Sequence, residues 1–380
     1  MNYNFISQRL EQNEKNGLRR ELTLKSGLDF ISNDYLGFAK DFAFQDILKN
    51  RINCYSKEIS GSKSSRLLAG QTHLLFEVEN ILAKFSNSED AIFFPSGYQA
   101  NVSLLSSLIQ AGDLVVSDEY NHASLIDGIR LSRGDKKVFR HNNMDDLESL
   151  LKEYSNQYEN IFIVCESVYS MEGSITPLNE IAYVASSYGA YLIVDESHAT
   201  GLFSSNGSGL VNDFNIRDKV FCTIHTGGKA LGASGAWIAG AKALKDYLTN
   251  FSRGFIYSTA PSPLQLLSLW ESVNFLKKEL NRKNIVINKA NALREIFKSE
   301  FKNLDYEILG DSTPIVPIVL RENGKVMNVM KLMEQKGVNT AGVRYPTVPE
   351  SQARLRISIN FYSSESDIEF LVNNLVKLLR

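Results

Sequence analysis

The chain has only three cysteines, Cys54, Cys165 and Cys222, and no two of them share a metal-ligand spacing. Cys165 and Cys222 fall inside apolar, strand-like runs and read as buried, reduced thiols. Neither sign of charge is in excess: 43 acidic residues face 41 basic ones, a net charge of −2. No overall basic field favours nucleic acid, although local basic patches for an anionic substrate remain open. No run approaches the roughly 20 apolar residues that span a bilayer. The first six residues, MNYNFI, lack the basic-then-apolar pattern of a signal peptide. Internal repeats and low-complexity tracts are also missing. The expectation is a cytoplasmic protein with neither nucleic acid nor membrane as a partner.

What is present is a large apolar fraction, 43% of 380 residues, enough for a sizeable core. A chain of this length exceeds a typical single domain. The organisation read from it is an N-terminal segment (1–45) packed with a small domain, a large domain (46–280) and the small domain itself (281–380). In the large part, strand candidates at 91–94, 114–117, 137–140, 160–165, 190–194, 219–224 and 236–239 alternate with amphipathic stretches at 99–109, 123–131, 144–154 and 178–187. Such alternation, with runs rich in Ile, Val and Phe, argues for an α/β fold with a mostly parallel central sheet. Helical patterns at 264–280 and 285–301 follow. Strand runs at 314–320 and 354–359, each preceding a helix (324–336 and 364–379), make the C-terminal part a smaller α+β domain.

Ligands in parallel sheets bind beyond the carboxyl ends of the strands, so the residues after each strand matter most. After the first comes Pro95-Ser96-Gly97-Tyr98-Gln99-Ala100-Asn101, a turn into a helix start that suits an anion. After the second, His122 falls at a helix N-terminus, placed to stack on an aromatic ring. After the fourth comes Glu166-Ser167-Val168-Tyr169-Ser170-Met171-Glu172-Gly173, a polar turn. After the fifth, Asp195 ends a buried apolar run, which is costly for a carboxylate without a partner. His198 follows it three residues later. Lys229 lies in the glycine-flanked run Thr226-Gly227-Gly228-Lys229-Ala230-Leu231-Gly232.

Taken singly, each feature is also an ordinary solvated turn, a cap or a structural histidine. A metal reading of Asp195 and His198 lacks further ligands nearby. Together they supply a phosphate cradle, a stacking ring, a buried carboxylate for a protonated ring nitrogen, and an amine able to form a Schiff base. These are the needs of pyridoxal 5′-phosphate. A Rossmann-type dehydrogenase would require a Gly-x-Gly-x-x-Gly turn after the first strand, and 95–101 does not contain one. A non-catalytic scaffold of the same fold would give a colourless preparation.

The same runs, with Ser32-Asn33-Asp34-Tyr35-Leu36-Gly37 and Asn121-His122-Ala123-Ser124, resemble the α-oxoamine synthases. These belong to the aspartate-aminotransferase-like fold (fold type I) of pyridoxal-phosphate enzymes, and the likeness runs from Leu18 to the end. The family joins an amino acid to an acyl-CoA with loss of carbon dioxide. The resemblance implies that Lys229 holds the cofactor aldehyde, Asp195 the ring nitrogen, and His122 the ring face. Ser170 and His198 would bind the ring hydroxyl, and Gly97, Tyr98 and Thr226 the phosphate. Tyr257-Ser258-Thr259 resembles the segment that reaches a partner subunit's phosphate, which implies a homodimer with sites at its interface.

Arg344-Tyr345-Pro346-Thr347-Val348-Pro349 and Ala353-Arg354-Leu355-Arg356 are similar to the family's biotin-pathway branch. That branch implies L-alanine and pimeloyl-CoA, or a pimeloyl carrier-protein thioester, as substrates. Glycine or serine with another acyl-CoA are the alternatives inside the family. Arg356 would grip the amino-acid carboxylate, and Arg19, Asn33 and Thr347 would contact substrate. Three departures stand out. Leu75 occupies a position usually held by histidine, with His73 nearby. Gly227 replaces a large apolar residue, so a looser lysine loop is expected. Ser262 interrupts the usual pair of prolines between Pro261 and Pro263.

Overall fold

The computed structural model describes residues 3–16, 18–55, 57 and 60–380. Its centre is a seven-stranded sheet: β1 (Asp90–Phe94), β2 (Leu114–Asp118), β3 (Asp135–Phe139), β4 (Ile161–Glu166), β5 (Tyr191–Asp195), β6 (Cys222–Thr226) and β7 (Ala236–Gly240). The spatial order is β1-β7-β6-β5-β4-β2-β3. β2 through β6 pair in parallel, whereas β7 runs antiparallel to both β6 and β1.

The apolar runs are continuous because both faces are covered. Ile161, Ile163 and Cys165 of β4 enter one core, and Phe162 and Val164 enter the other. The same two-residue period divides Ala91 and Phe93 from Ile92 and Phe94 on β1. Helices Gly97–Leu108 and Ala123–Leu131 cover one face through Leu104, Leu105, Leu125 and Ile129. Helices His73–Phe85, Met144–Tyr154, Leu178–Ser187 and Pro263–Leu276 cover the other. Each fully buried aliphatic side chain contributes on the order of 1.5–3 kcal/mol.

A second sheet is antiparallel throughout: β8 (Glu307–Ile308), β9 (Ile315–Arg321), β10 (Ala341–Val343) and β11 (Ala353–Ser358), in the order β10-β11-β9-β8. The N-terminal stretch joins this part of the chain, with Leu28 and Asp29 pairing in parallel with Val338 and Asn339.

Several element boundaries shift by a few residues. The sixth strand starts at Cys222 rather than at 219, because Arg217–Lys219 forms a 3-10 turn. Ser262, between the two prolines, has a structural task. It caps helix Pro263–Leu276, its hydroxyl accepting from the Gln265 N–H at 3.4 Å with Pro263 in the first turn.

Candidate active site

The last residues of the parallel strands β2, β4, β5 and β6 are Asp118, Glu166, Asp195 and Thr226. Parallel pairing delivers them to one edge of the sheet. Lys229 reaches the same edge by another route: it lies in the connection between β6 and the antiparallel β7, whose register sets Thr226 opposite Ala236. The connection is tight rather than loose. Gly227 donates to the Gly235 carbonyl at 2.9 Å and accepts from the Ala233 N–H at 2.8 Å. A Cβ on Gly227 would lie 2.7 Å from Leu269 Cδ1, so the larger residue expected there has no room. Gly235 adopts φ 91°, and a Cβ there would strike the Phe93 ring at 2.2 Å.

Lys229 is half-buried. Among the described residues its ammonium makes neither a hydrogen bond nor an ion pair. Burial pushes its pKa below the usual 10.5. The nearby Asp195 and Glu166 charges oppose that shift, and Arg356 adds to it.

Asp195 is 4% exposed. Its carboxylate accepts from the Ser197 N–H and from Asn101 Nδ2, both at 2.8 Å. Asn101 also donates to Ser124 Oγ at 2.9 Å, and Ser124 Oγ lies 2.7 Å from His122 Nδ1. Asn101 therefore links the acid to the histidine. Nδ1 of His122 further accepts from the Ser124 N–H, which places the ring proton on Nε2. Burial lowers the His122 pKa; Asp195 opposes this and Lys229 adds to it. The imidazole thus stands at the start of helix Ala123–Leu131, with burial favouring its neutral form.

His198 is buried, and its Nδ1 lies 2.8 Å from the Tyr35 hydroxyl. Burial first, then the charges of Lys229 and Arg356, hold its pKa well below the ordinary histidine value. Arg356, on β11, points into this cluster instead of standing exposed on an alternating strand. Nε donates to the Ser170 carbonyl at 2.6 Å, Nη1 to Ser358 Oγ at 2.7 Å, and Nη2 to Asn33 Oδ1 at 3.0 Å and Tyr35 Oη at 3.4 Å. Arg354, two residues earlier and on the same face, pairs with Glu172 at 3.0 Å. These two arginines tie the small sheet to the loop after β4.

Gly97 opens helix Gly97–Leu108, whose cap Ser96 accepts from the Gln99 N–H at 3.2 Å. The first amides of a helix have no partners within it. A Cβ on Gly97 would come 3.9 Å from Thr226 Oγ1, so the two face one another across the cradle. Tyr98 is 52% exposed and its hydroxyl donates to Asp127 at 2.5 Å.

Lys229, Asp195, His122, His198, Asn33, Arg356, Ser170, Gly97 and Thr226 therefore gather at this strand edge. Three other expected residues do not join them within one chain. Thr259 is exposed and bridges to Ser65. Thr347 is exposed in the loop after β10. Arg19 is exposed and pairs with Glu14 at 2.6 Å.

Four further residues are built into the site: Tyr35, Asn101, Ser124 and Glu166. Each sits inside a motif visible in the sequence, but only the fold shows what it touches. The donor set fits pyridoxal 5′-phosphate: free helix amides facing a threonine hydroxyl, a buried carboxylate, a neutral ring and an unpaired amine. Asn101 Oδ1 is moreover buried at this spot without a hydrogen-bond partner.

Comparison with known proteins agrees. The family model described as aminotransferase class I and II matches residues 25–375. A putative 8-amino-7-oxononanoate synthase of Aquifex aeolicus is 35% identical, with 99% of each chain covered. 8-Amino-7-oxononanoate synthase 2 of Bacillus subtilis is 34% identical, covering 97% of this chain and 95% of its own.

The chain belongs to the α-oxoamine synthase family.

Its fold is fold type I, and its cofactor is the family's pyridoxal 5′-phosphate. Among solved structures, 8-amino-7-oxononanoate synthase from Francisella tularensis is 29% identical, with a TM-score of 0.78 over 93% of this chain and 97% of that one. Serine palmitoyltransferase from Sphingomonas wittichii superposes with a TM-score of 0.88 over 99% of this chain and 96% of that one. At 23% identity it is evidence for the fold alone. Within the α-oxoamine synthase fold, no helix among the described residues is long and apolar enough to cross a membrane.

Proposed function

We infer that this α-oxoamine synthase joins L-alanine to a pimeloyl thioester, CoA or carrier-protein bound, and makes 8-amino-7-oxononanoate for biotin synthesis. The observation that carries the reading is full-length similarity to enzymes of that name, at 33–35% identity. An arginine, Arg356, aimed at the same cluster as Lys229 supports it.

In this reading one carbon–carbon bond forms, the thioester C–S bond and the Cα–carboxylate bond break, and free thiol and carbon dioxide leave. When bound, pyridoxal 5′-phosphate supplies an aldehyde for the amino group and a ring that draws electrons from Cα. Gly97, Tyr98 and Thr226 would hold the phosphate. Asp195 would keep a proton on the ring nitrogen, His122 would cover one ring face, and Ser170 and His198 would meet the ring hydroxyl. Lys229 would hold the aldehyde and, as a free amine, would move the α-proton at Nζ. Burial, which lowers its pKa below 10.5, favours the neutral amine that a base requires.

Arg356 has five N–H groups. Four hydrogen bonds hold the fork in place and leave one N–H for the alanine carboxylate. Asn33, Arg19 and Thr347 are assigned to substrate in the same reading. Arg19 and Thr347 require movement or a second subunit to reach it.

The reading extends to a cytoplasmic homodimer. Leu68, Phe76 and Tyr257 are 81%, 53% and 73% exposed on the segments around the Ser65–Thr259 bridge. Exposed apolar groups of this kind mark contact surfaces. A partner there would bring Thr259 to the neighbouring phosphate. The division into an N-terminal segment, a large domain and a small domain at 45 and 280 belongs to the same proposal.

The test is a substrate matrix: L-alanine, glycine and L-serine against pimeloyl-, acetyl-, succinyl- and palmitoyl-CoA, reading free thiol and carbon dioxide. Alanine with pimeloyl-CoA is expected to dominate. Faster turnover of glycine with a short acyl chain would overturn the assignment. Arg356→Lys should raise KM for alanine by about tenfold or more, because a lysine cannot reproduce the fork. An unchanged KM would remove Arg356 from carboxylate binding.

A further inference from the structure

The proposed function leaves Glu166, a buried acid at the strand edge, unused. The β4–β5 register sets Glu166 beside Asp195, and the two are 3% and 4% exposed. Paired residues on neighbouring parallel strands point to the same face, so both carboxyls lie on one side of the sheet. In the proposed function Asp195 would have the cofactor's ring nitrogen as its partner. A second buried carboxylate beside it would be expensive without a task of its own.

Glu166 Oε1 accepts the backbone N–H of His122 at 2.7 Å. That N–H precedes helix Ala123–Leu131 and has no partner within it. Glu166 is itself held firmly. Its N–H donates to the Tyr169 hydroxyl at 3.3 Å, and its carbonyl accepts from Thr176 Oγ1 at 2.5 Å. The neighbouring Ser167 N–H donates to the Asp195 carbonyl at 2.9 Å.

His122 thus has two anchors. Ser124 fixes the rotation of its ring through Nδ1, and Glu166 fixes its backbone. Burial, with the Asp195 charge added, pushes the Glu166 pKa well above the ordinary carboxyl range. Lys229 and the His122 N–H work against that shift, and Glu172 adds to it. Either protonation state of this carboxyl leaves an oxygen free to accept the His122 N–H, so the hydrogen bond does not depend on the charge of Glu166.

We propose that Glu166 is a positioning residue that sets the height and tilt of His122 above the cofactor ring by holding the His122 N–H. This rests on the reading of His122 as the ring that covers the cofactor.

The experiment measures the affinity of cofactor-free protein for pyridoxal 5′-phosphate and the visible circular dichroism of the loaded protein. Glu166→Gln keeps an acceptor oxygen and the side-chain volume. It should bind within about threefold of wild type and show the same dichroism. Glu166→Leu leaves the N–H buried without an acceptor, and should raise the dissociation constant about tenfold and alter the dichroism. In a His122→Ala background the leucine change should cost nothing further.

Wild-type affinity and dichroism in Glu166→Leu would overturn the proposal, provided His122→Ala alone weakens binding. A glutamine variant as damaged as the leucine one would also overturn it, by assigning the effect to charge. If His122→Ala has no effect, the covering role of His122 falls, and this proposal with it. Should Glu166→Leu fail to fold, Glu166→Gln is read against wild type, with and without His122→Ala: a glutamine variant that binds the cofactor about tenfold more weakly assigns the effect to charge and overturns the proposal, and one within about threefold in both backgrounds supports it.

Discussion

Lys229→Ala is expected to fold, to retain some affinity for pyridoxal 5′-phosphate and to lose turnover by at least ~10⁴-fold, the upper end of what one proton-transferring side chain contributes. The fold should survive because the lysine loop is held by backbone contacts that do not involve the side chain. Gly227 bonds to Gly235 and Ala233, and the Gly232 N–H donates to the Lys229 carbonyl at 2.9 Å. What disappears is the only amine in the cluster. Borohydride should therefore no longer fix the cofactor to the protein, which peptide mass analysis reads directly. Normal turnover, or fixation at an unchanged site, would remove Lys229 from the chemistry.

The wild-type protein adds a pH arm. Burial favours the neutral amine over the ammonium, so the proton leaves at a lower pH than the usual 10.5. Between the lowered value and 10.5 the folded chain binds fewer protons than the unfolded one. Stability of the cofactor-free protein from this group therefore rises with pH across that window. Amine labelling of Lys229 should reach its midpoint below that of the surface lysines. A midpoint at the surface value would contradict the buried environment.

The second large effect is at Asp195. In the proposed reading, replacement by alanine removes the charge that would keep the ring nitrogen protonated, and a fall in kcat/KM of about 10³-fold, or roughly 4 kcal/mol, is expected. It also strands the Asn101 amide and the Ser197 N–H, each a donor to that carboxylate at 2.8 Å, so thermal stability should fall as well. Asp195→Asn separates the two effects. Its oxygen still accepts from Ser197, and a flip of Asn101 would present the otherwise unpartnered Oδ1 to the new amide. Stability should return most of the way while the rate remains low. A near wild-type kcat in either variant would argue against the ring-nitrogen role.

Much of the large sheet was legible because its physics is local. Helices Met144–Tyr154 and Leu178–Ser187 have the boundaries their periodicity predicts. All seven strand candidates fall in one sheet: six are runs buried on both faces and largely apolar, whereas the edge strand Asp135–Phe139 is mostly exposed. Helix Lys242–Phe251 is not among the elements expected from sequence, although Leu244 and Leu248 lie one turn apart and are buried. Strand Ala341–Val343 has only three residues, too few to show a period.

In the site, an aspartate at the end of an apolar run and a lysine among glycines were visible as anomalies of sequence. Tyr35, Asn101, Ser124 and Glu166 were not, because an ordinary polar residue in a turn becomes informative only through what it touches. Gly227 shows the limit from the other side. In sequence it suggests slack; in space it is the residue that fits against Leu269.

By itself, then, the sequence determined the kind of sheet, the strand ends at which chemistry gathers and the residue types present there, since hydrophobic period and the cost of a buried charge are both local properties. Only the tertiary structure decided the partners. β7 returns antiparallel and carries the Lys229 connection to the strand edge. Parallel register sets Glu166 beside Asp195. β11 carries Arg356 across from the small sheet to Asn33, some 320 residues earlier in the chain. Contacts between positions so far apart depend on how the two sheets pack, and no local pattern encodes that.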